Sequence, residues 1–203
     1  MINTAMKEKD LQEVEKIALD TDKLYYGFPI FLLGYKDEAY GYNYTTNSSS
    51  YTLGDMLVVG IYKYGNGIQQ IRAAGCFTLN VPTEKLMGEI EIGGLYSGDD
   101  KFKLAQKLTW TRSKKVDAPL INECVLNIEC EVIKVVELDA FDGYCNIIAK
   151  IKGRFVNREL QENGRLKNDL LKPVFYLGDG HKRSYRYLND DLNDFGDFSR
   201  EKE

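Results

Sequence analysis

The stretch Leu126-Asn127-Ile128-Glu129-Cys130-Glu131-Val132 alternates apolar and polar residues at every step, the period of a β-strand with one buried face and one wet face. The phase then slips, because Ile133, Val135 and Val136 no longer keep the alternation. One extra residue near Lys134 accounts for the slip, and a β-bulge of that kind bends a strand as a closing barrel requires. The reading extends outwards from there. Phe28–Tyr35 and Met56–Tyr62 are apolar, strand-like runs bounded by turn signals at Gly41 and at Gly65-Asn66-Gly67. Cys145–Ile151 and Pro173–Leu177 read as further strands, with a turn at Glu162-Asn163-Gly164 between them.

Helical spacing is confined to short segments. Thr83 to Ile92 places Leu86, Met87 and Ile90 on one side, and Asp99 to Leu108 does the same with Phe102, Ala105 and Leu108. Near the N-terminus, Lys7 to Leu19 sets Leu11, Val14, Ile17 and Ala18 among Glu and Lys. That pattern is an amphipathic helix expected to pack across the body or a partner subunit. Many strands with few short helices favour a β-barrel over a βαβ sandwich, so the expected fold class is mainly β. The 203 residues suit one domain, with residues 1–24 as a helical extension and an acidic tail at 189–203 expected to be mobile.

Composition removes whole classes of function. A net charge of −4 gives no basic stripe for a phosphate backbone, so nucleic acid is not an expected partner. No window approaches the ~20 apolar residues of a membrane helix, and the Lys/Glu-rich N-terminus lacks a signal-peptide core. A cytoplasmic location without membrane attachment is expected. Cys76, Cys124, Cys130 and Cys145 form no close CxxC pair and read as buried, reduced thiols. The single histidine, His181, lies in a Gly-Asp-Gly-His turn, and no Gly-x-Ser-x-Gly elbow exists to pair with it. Histidine-bound zinc is excluded by count, and no metal site is expected.

The densest polar cluster is Asn43-Tyr44-Thr45-Thr46-Asn47-Ser48-Ser49-Ser50-Tyr51, between two apolar runs. It reads either as a surface loop or as a wall of hydroxyl and amide donors for a polar ligand. A second phrase, Gly60-Ile61-Tyr62-Lys63-Tyr64-Gly65-Asn66-Gly67, is neither a GxGxxG nor a P-loop fingerprint. It is either a turn using glycine at positive φ or a helix start whose free N–H groups could face a phosphate.

Asn-x-x-Thr-x-Ser-Ser at 43–49 is followed in order by Phe77-Thr78-Leu79-Asn80-Val81-Pro82, Tyr96-Ser97-Gly98, Asp100-Lys101-Phe102, Ala118-Pro119-Leu120-Ile121 and Glu123-Cys124. This ordered series, from about Tyr26 to Leu188, resembles the flavin reductase-like family and its flavoredoxin-type members. The resemblance implies an FMN-binding split β-barrel of Greek-key type, with FAD the less expected flavin. It implies a homodimer and an NAD(P)H:flavin oxidoreductase that passes electrons to a small-molecule acceptor or a redox partner protein. The alternatives are an FMN-binding electron carrier without nicotinamide turnover and a barrel that has lost its flavin. Cofactor-borne hydride transfer needs no catalytic side chain, so none is assigned.

By the same resemblance Asn43, Thr46 and Ser48 line the flavin, and Thr45, Asn47, Ser49 and Ser50 extend that wall. Asn66 and Gly67 fall at the phosphate-side loop, and Asn80 matches the Asn of Asn-Val-Pro. Ser97, Gly98 and Lys101 match the Ser-Gly…Asp-Lys-Phe segment, where an ammonium would neutralise phosphate or the reduced ring, and Tyr96 precedes it as a further candidate contact. The chain departs from the family in having Tyr51-Thr52-Leu53 for a double-proline turn, Asn66-Gly67-Ile68 for Arg-x-Thr, and Tyr96 where His is frequent.

Overall fold

A computed structural model describes residues 16–193. Its centre is a seven-stranded antiparallel sheet in the order β3-β2-β6-β9-β10-β5-β4. The strands are β2 (Phe31–Asp37), β3 (Gly41–Asn47), β4 (Ser50–Leu53), β5 (Met56–Tyr62), β6 (Cys76–Val81), β9 (Leu126–Glu137) and β10 (Tyr144–Val156). The two edge strands, β3 and β4, are consecutive in the chain. Six gaps of about 4.8 Å would hold the edges of a flat sheet roughly 29 Å apart. The chain from Asn47 to Ser50 reaches about 11 Å at most. The sheet must therefore curl until its edges meet at Ser48-Ser49, which makes it a barrel split along one seam.

The expected bulge supplies part of that curl. Lys134 pairs with Ile148 and Val132 with Ala149, so Ile133 is the extra residue. A second irregularity leaves Lys152 unpaired between Ile151 and Gly153. Alternate residues of the curled sheet, including Phe31, Leu33, Tyr35, Val59, Phe77, Ile128 and Ile147, form one buried cluster. Helix α1 (Asn66–Ala74) adds Ile68 and Ile71 to it. Each fully buried side chain of this size contributes about 1.5–3 kcal/mol. A second cluster lies against the other face of β2 and β3, where Ile30, Leu32 and Tyr44 meet Leu86 and Ile90.

The run Phe28–Tyr35 is not one strand. It breaks at Ile30 into β1 (Leu24–Pro29) and β2, which belong to different sheets. Pro29 has no N–H to continue a ladder, and the Ile30 N–H turns instead to the Val174 carbonyl at 2.8 Å. Strand β1 joins β13 (Phe175–Asp179) and β14 (Arg183–Arg186) in a three-stranded sheet. The remaining strands form two small hairpins, β7 (Trp110–Arg112) with β8 (Pro119–Ile121), and β11 (Gln161–Glu162) with β12 (Arg165–Leu166). Asn163 and Gly164 both take positive φ in the latter's turn.

The segment beginning at Thr83 starts as a 3-10 turn, Glu84–Leu86, and becomes helix α2 (Met87–Leu95). The helix expected over Asp99–Leu108 shrinks to one turn, α3 (Lys101–Leu104). Asp100 caps it by accepting from the Lys103 N–H at 3.1 Å, and the chain leaves helical geometry at Ala105. Most of the Lys7–Leu19 helix and the tail beyond residue 193 lie outside the described residues, and residues 16–23 are not helical. Gly65 and Gly67 do not take positive φ; they open α1, with Gly65 as its N-cap. All four cysteines are free and buried. Burial raises their thiol pKa, to about 12 for Cys130. Trp110 is not a core residue: it is 43 % exposed, with its ring edge-on to Tyr42.

Candidate functional site

The seam of the barrel is built by one side chain. Asn47 Oδ1 accepts from the N–H groups of Ser48 (2.6 Å) and Ser49 (2.8 Å), and Asn47 Nδ2 donates to the Gly60 carbonyl at 3.0 Å. The Gly60 N–H returns a bond to the Ser49 carbonyl at 2.9 Å. Strands β3, β4 and β5 are thereby stitched where the sheet closes. The Asn47 oxygen and one of its two N–H donors are engaged in the stitch, whereas the Ser48 and Ser49 hydroxyls make no hydrogen bond among the described residues.

A cleft of ≈ 680 Å³ opens at this seam, within the roughly 300–1,000 Å³ of small-molecule sites. Thr46, Asn47, Ser48, Ser49 and Gly60 form its seam side, with Asn146 beside them from β10. Ile90, Glu91, Gly94 and Leu95 of α2 form another wall. Tyr62, Leu138, Phe141 and Tyr144 make an aromatic and apolar rim, and Tyr25, Tyr176, Arg183 and Tyr185 come from the three-stranded sheet. Among the described residues, Arg183 is the one cation lining the cleft and Glu91 the one carboxylate.

Helix α2 is seated directly on β3. Thr46 Oγ1 donates to the Ile90 carbonyl at 2.7 Å, Tyr44 Oη to the Glu89 carbonyl at 3.0 Å, and Thr45 Oγ1 to the Gly93 carbonyl at 3.3 Å. The approach is so close that a Cβ at Gly93 would meet the Thr46 hydroxyl and stand 2.7 Å from the Tyr44 ring. The Thr/Asn/Ser run is thus a strand and a seam, not a free loop.

Of the fourteen residues assigned from sequence, Thr46, Asn47, Ser48 and Ser49 line the cleft. Ser50 begins β4 immediately beyond it. Asn43, Thr45 and Lys101 stand behind the α2 wall. Asn43 is fully buried, with Nδ2 donating to the Asp99 carbonyl at 2.8 Å and Oδ1 accepting from the Lys101 N–H at 3.2 Å. Lys101 is buried too, and its ammonium donates to the Gly93 carbonyl at 3.1 Å. Asn66 and Gly67 start α1, where Asn66 Nδ2 reaches the buried Asp37 carboxylate at 3.4 Å. Tyr96, Ser97 and Gly98 follow α2 on the surface, and the Gly98 carbonyl accepts from Tyr40 Oη at 3.0 Å. Asn80 lies within β6 and bonds to Leu32, Thr78, Ile121 and Asn127.

Sequence reading missed Asn146, Glu91, Arg183 and the Leu138–Phe141 rim. Each comes alone from a distant segment with no motif around it. His181 is exposed in the β13–β14 hairpin, where its backbone N–H donates to Asp179. No cluster of three potential metal ligands occurs among the described residues, and no helix among them is long and apolar enough to cross a membrane.

The fold has known counterparts. The structure superposes on the flavoredoxin of Desulfovibrio vulgaris (Miyazaki F) with a TM-score of 0.79 at 23% identity, covering 92% of this chain and 100% of that one. It also superposes on an FMN-binding protein from Thermus thermophilus with bound 1-cyclohex-2-enone, at a TM-score of 0.70 and 16% identity, over 90% of this chain and 98% of that one. In sequence, an uncharacterized protein of Archaeoglobus fulgidus is 37% identical over 82 residues, 40% of this chain. The match spans 45% of that relative's length. The model of the flavin reductase like domain matches residues 29–182, from the break after β1 to the β13–β14 hairpin, and the chain therefore belongs to the flavin reductase-like family.

Proposed function

We propose that the seam cleft holds FMN and that the protein is an NAD(P)H-dependent flavin oxidoreductase passing electrons to a small-molecule or protein acceptor. The observation carrying this reading is the pair of Ser48 and Ser49 hydroxyls at the seam, unbonded among the described residues, in one cleft with an apolar and aromatic rim. That combination suits a flat heteroaromatic ring with a polar edge. When bound, the flavin supplies the redox chemistry, accepting a hydride from reduced nicotinamide and releasing electrons onward.

The chain's own residues supply the rest. Ser48 and Ser49 offer hydrogen bonds to the ring's heteroatoms, the aromatic rim excludes water, and the Arg183 guanidinium offers the charge that a phosphate requires. Helix α2 forms the wall that adjoins Thr46. Family membership supports a flavin in the cleft, and the FMN-binding protein of similar fold supports FMN as that flavin. We further propose a homodimer, in which a second copy covers the exposed rim of the cleft.

The test is the visible spectrum of the purified protein with FMN, followed near ~450 nm while NADH or NADPH is added without oxygen. Bleaching faster than with free FMN is expected. A bound flavin that stays oxidised would make the protein an electron carrier with another donor, and absence of any flavin binding would overturn the reading.

A further inference from the structure

The carbonyls of a helix's last turn lack partners inside the helix. In α2 the Ile92 carbonyl is met by the Tyr96 N–H at 3.2 Å, as a chain-continuing cap. The Gly93 carbonyl is met from outside the helix, by Lys101 Nζ at 3.1 Å and Thr45 Oγ1 at 3.3 Å. Lys101 is only 3 % exposed, a rare position for an ammonium. It is delivered there by β3, because Asn43 accepts from its backbone N–H and donates to the carbonyl of Asp99 just before it. The two residues after Gly93, Gly94 and Leu95, are wall residues of the cleft.

The geometry points to Lys101 as a positioning residue for the cleft's ligand: its ammonium fixes the last turn of α2, and with it the Gly94–Leu95 wall, without touching the ligand. This rests on the flavin reading of the cleft. A cation at a helix C-terminus also meets the negative end of the helix dipole, so the contact is strongest while the amine is charged.

Two carboxylates favour that charge, Asp99 from the preceding loop and Asp37 from β2. β3 presents the non-titrating Asn43 and Thr45, and α2 presents the Gly93 carbonyl. Burial opposes the charge more strongly and lowers the Lys101 pKa from 10.5 to about 8. The hold on the wall therefore weakens as pH rises through about 8.

The test compares dissociation constants of FMN and riboflavin for the wild type, Lys101→Met and Lys101→Arg, from pH 7 to 9. Riboflavin has no phosphate. Because a charge-assisted bond is about twice as strong as a neutral one, wild-type affinity for both flavins should fall about fivefold over this range. Lys101→Arg should hold its affinity to the top of the range, and Lys101→Met should be weak and level throughout for both flavins. A loss confined to FMN would place Lys101 on the phosphate and overturn the positioning role. A wild-type pH profile in Lys101→Met would overturn it as well. Hydrogen exchange in the flavin-free protein supplies a readout independent of the ligand. Protection of the Gly94–Tyr96 amides, corrected for intrinsic exchange, should drop between pH 7 and 9 in the wild type but not in Lys101→Arg. Protection that does not change overturns the proposal even if no flavin binds, and absent flavin binding alone removes only the cofactor reading.

Discussion

Asn80 and the serines of the seam show how residues of similar polarity come to play opposite parts. The Asn80 amide nitrogen donates to the Leu32 carbonyl and to Thr78 Oγ1, both at 3.0 Å. Its oxygen accepts from the Ile121 N–H at 3.1 Å and from Asn127 Nδ2 at 2.8 Å. A fully buried amide with both ends engaged is a brace holding β8 against β6 and β9. Asn80→Ala would strand the Ile121 N–H, at about 1–3 kcal/mol for a group left unpaired, and would leave Asn127 Nδ2 only its bond to the Ile121 carbonyl at 3.0 Å. Denaturant unfolding should register that loss, and the folded fraction should bind flavin as the wild type does. Ser48→Ala and Ser49→Ala should do the reverse. Their hydroxyls have no partner to lose among the described residues, so stability should be unchanged, while each loses about 0.5–1.5 kcal/mol of flavin affinity, read by titration. An unchanged flavin affinity in both variants would remove these serines from the site. Lys101 ties stability to pH with a definite sign. Its folded pKa, about 8, lies below its ordinary 10.5, so between those values the unfolded chain binds more protons. Its contribution to stability therefore rises with pH across that window while its grip on Gly93 relaxes.

Among the elements, the contact of α2 with β3 decides the shape of the cleft, and Gly93 is its closest point. A Cβ there would press on the Thr46 hydroxyl and the Tyr44 ring. Both groups are anchored, through bonds to the Ile90 and Glu89 carbonyls, and neither can swing aside without losing one. Gly93→Ala should cost about 1–3 kcal/mol, as overpacking does, and should weaken flavin binding by displacing the Gly94–Leu95 wall. Thermal unfolding and flavin titration of the variant would check both effects, and wild-type values would show that α2 is free to shift. Elements of this kind were unevenly legible in the sequence. The alternation over 126–132 located β9, and its phase slip located the bulge to within one residue of Ile133, because both signals are local. The break of the first strand was half legible: Pro29 interrupts the ladder, but the Ile30 N–H bond to the Val174 carbonyl and the change of sheet leave no mark in apolar spacing. The end of α3 after one turn was not legible, because Phe102, Ala105 and Leu108 keep helical spacing past it.

For the whole molecule, the meeting of the sheet's two edge strands, β3 and β4, at Ser48-Ser49 explains why the site lies where it does. Which strands become edges depends on contacts between segments far apart in the chain, so barrel closure at Ser48-Ser49 could not be read from the polar run that performs it. The same holds for Arg183, which reaches the cleft only because β14 joins β13 and β1 in a separate sheet. Closure leaves the rim unfinished. Tyr62, Leu95, Leu138, Phe141 and Tyr144 line one cleft and are each more than half exposed in the single chain. An apolar rim of this kind is the sort of surface that marks interaction sites and ligand grooves, and under the proposed dimer its burial against a second copy would dry the cleft and strengthen every polar contact inside. The wild type should therefore sediment as a dimer at micromolar concentration. Phe141→Glu, which places a charge in the middle of the rim, should sediment as a monomer of unchanged thermal stability with weakened flavin binding. A monomeric wild type would exclude the second copy as the cover, and a monomeric Phe141→Glu that binds flavin at full strength would show that one chain completes the cleft alone.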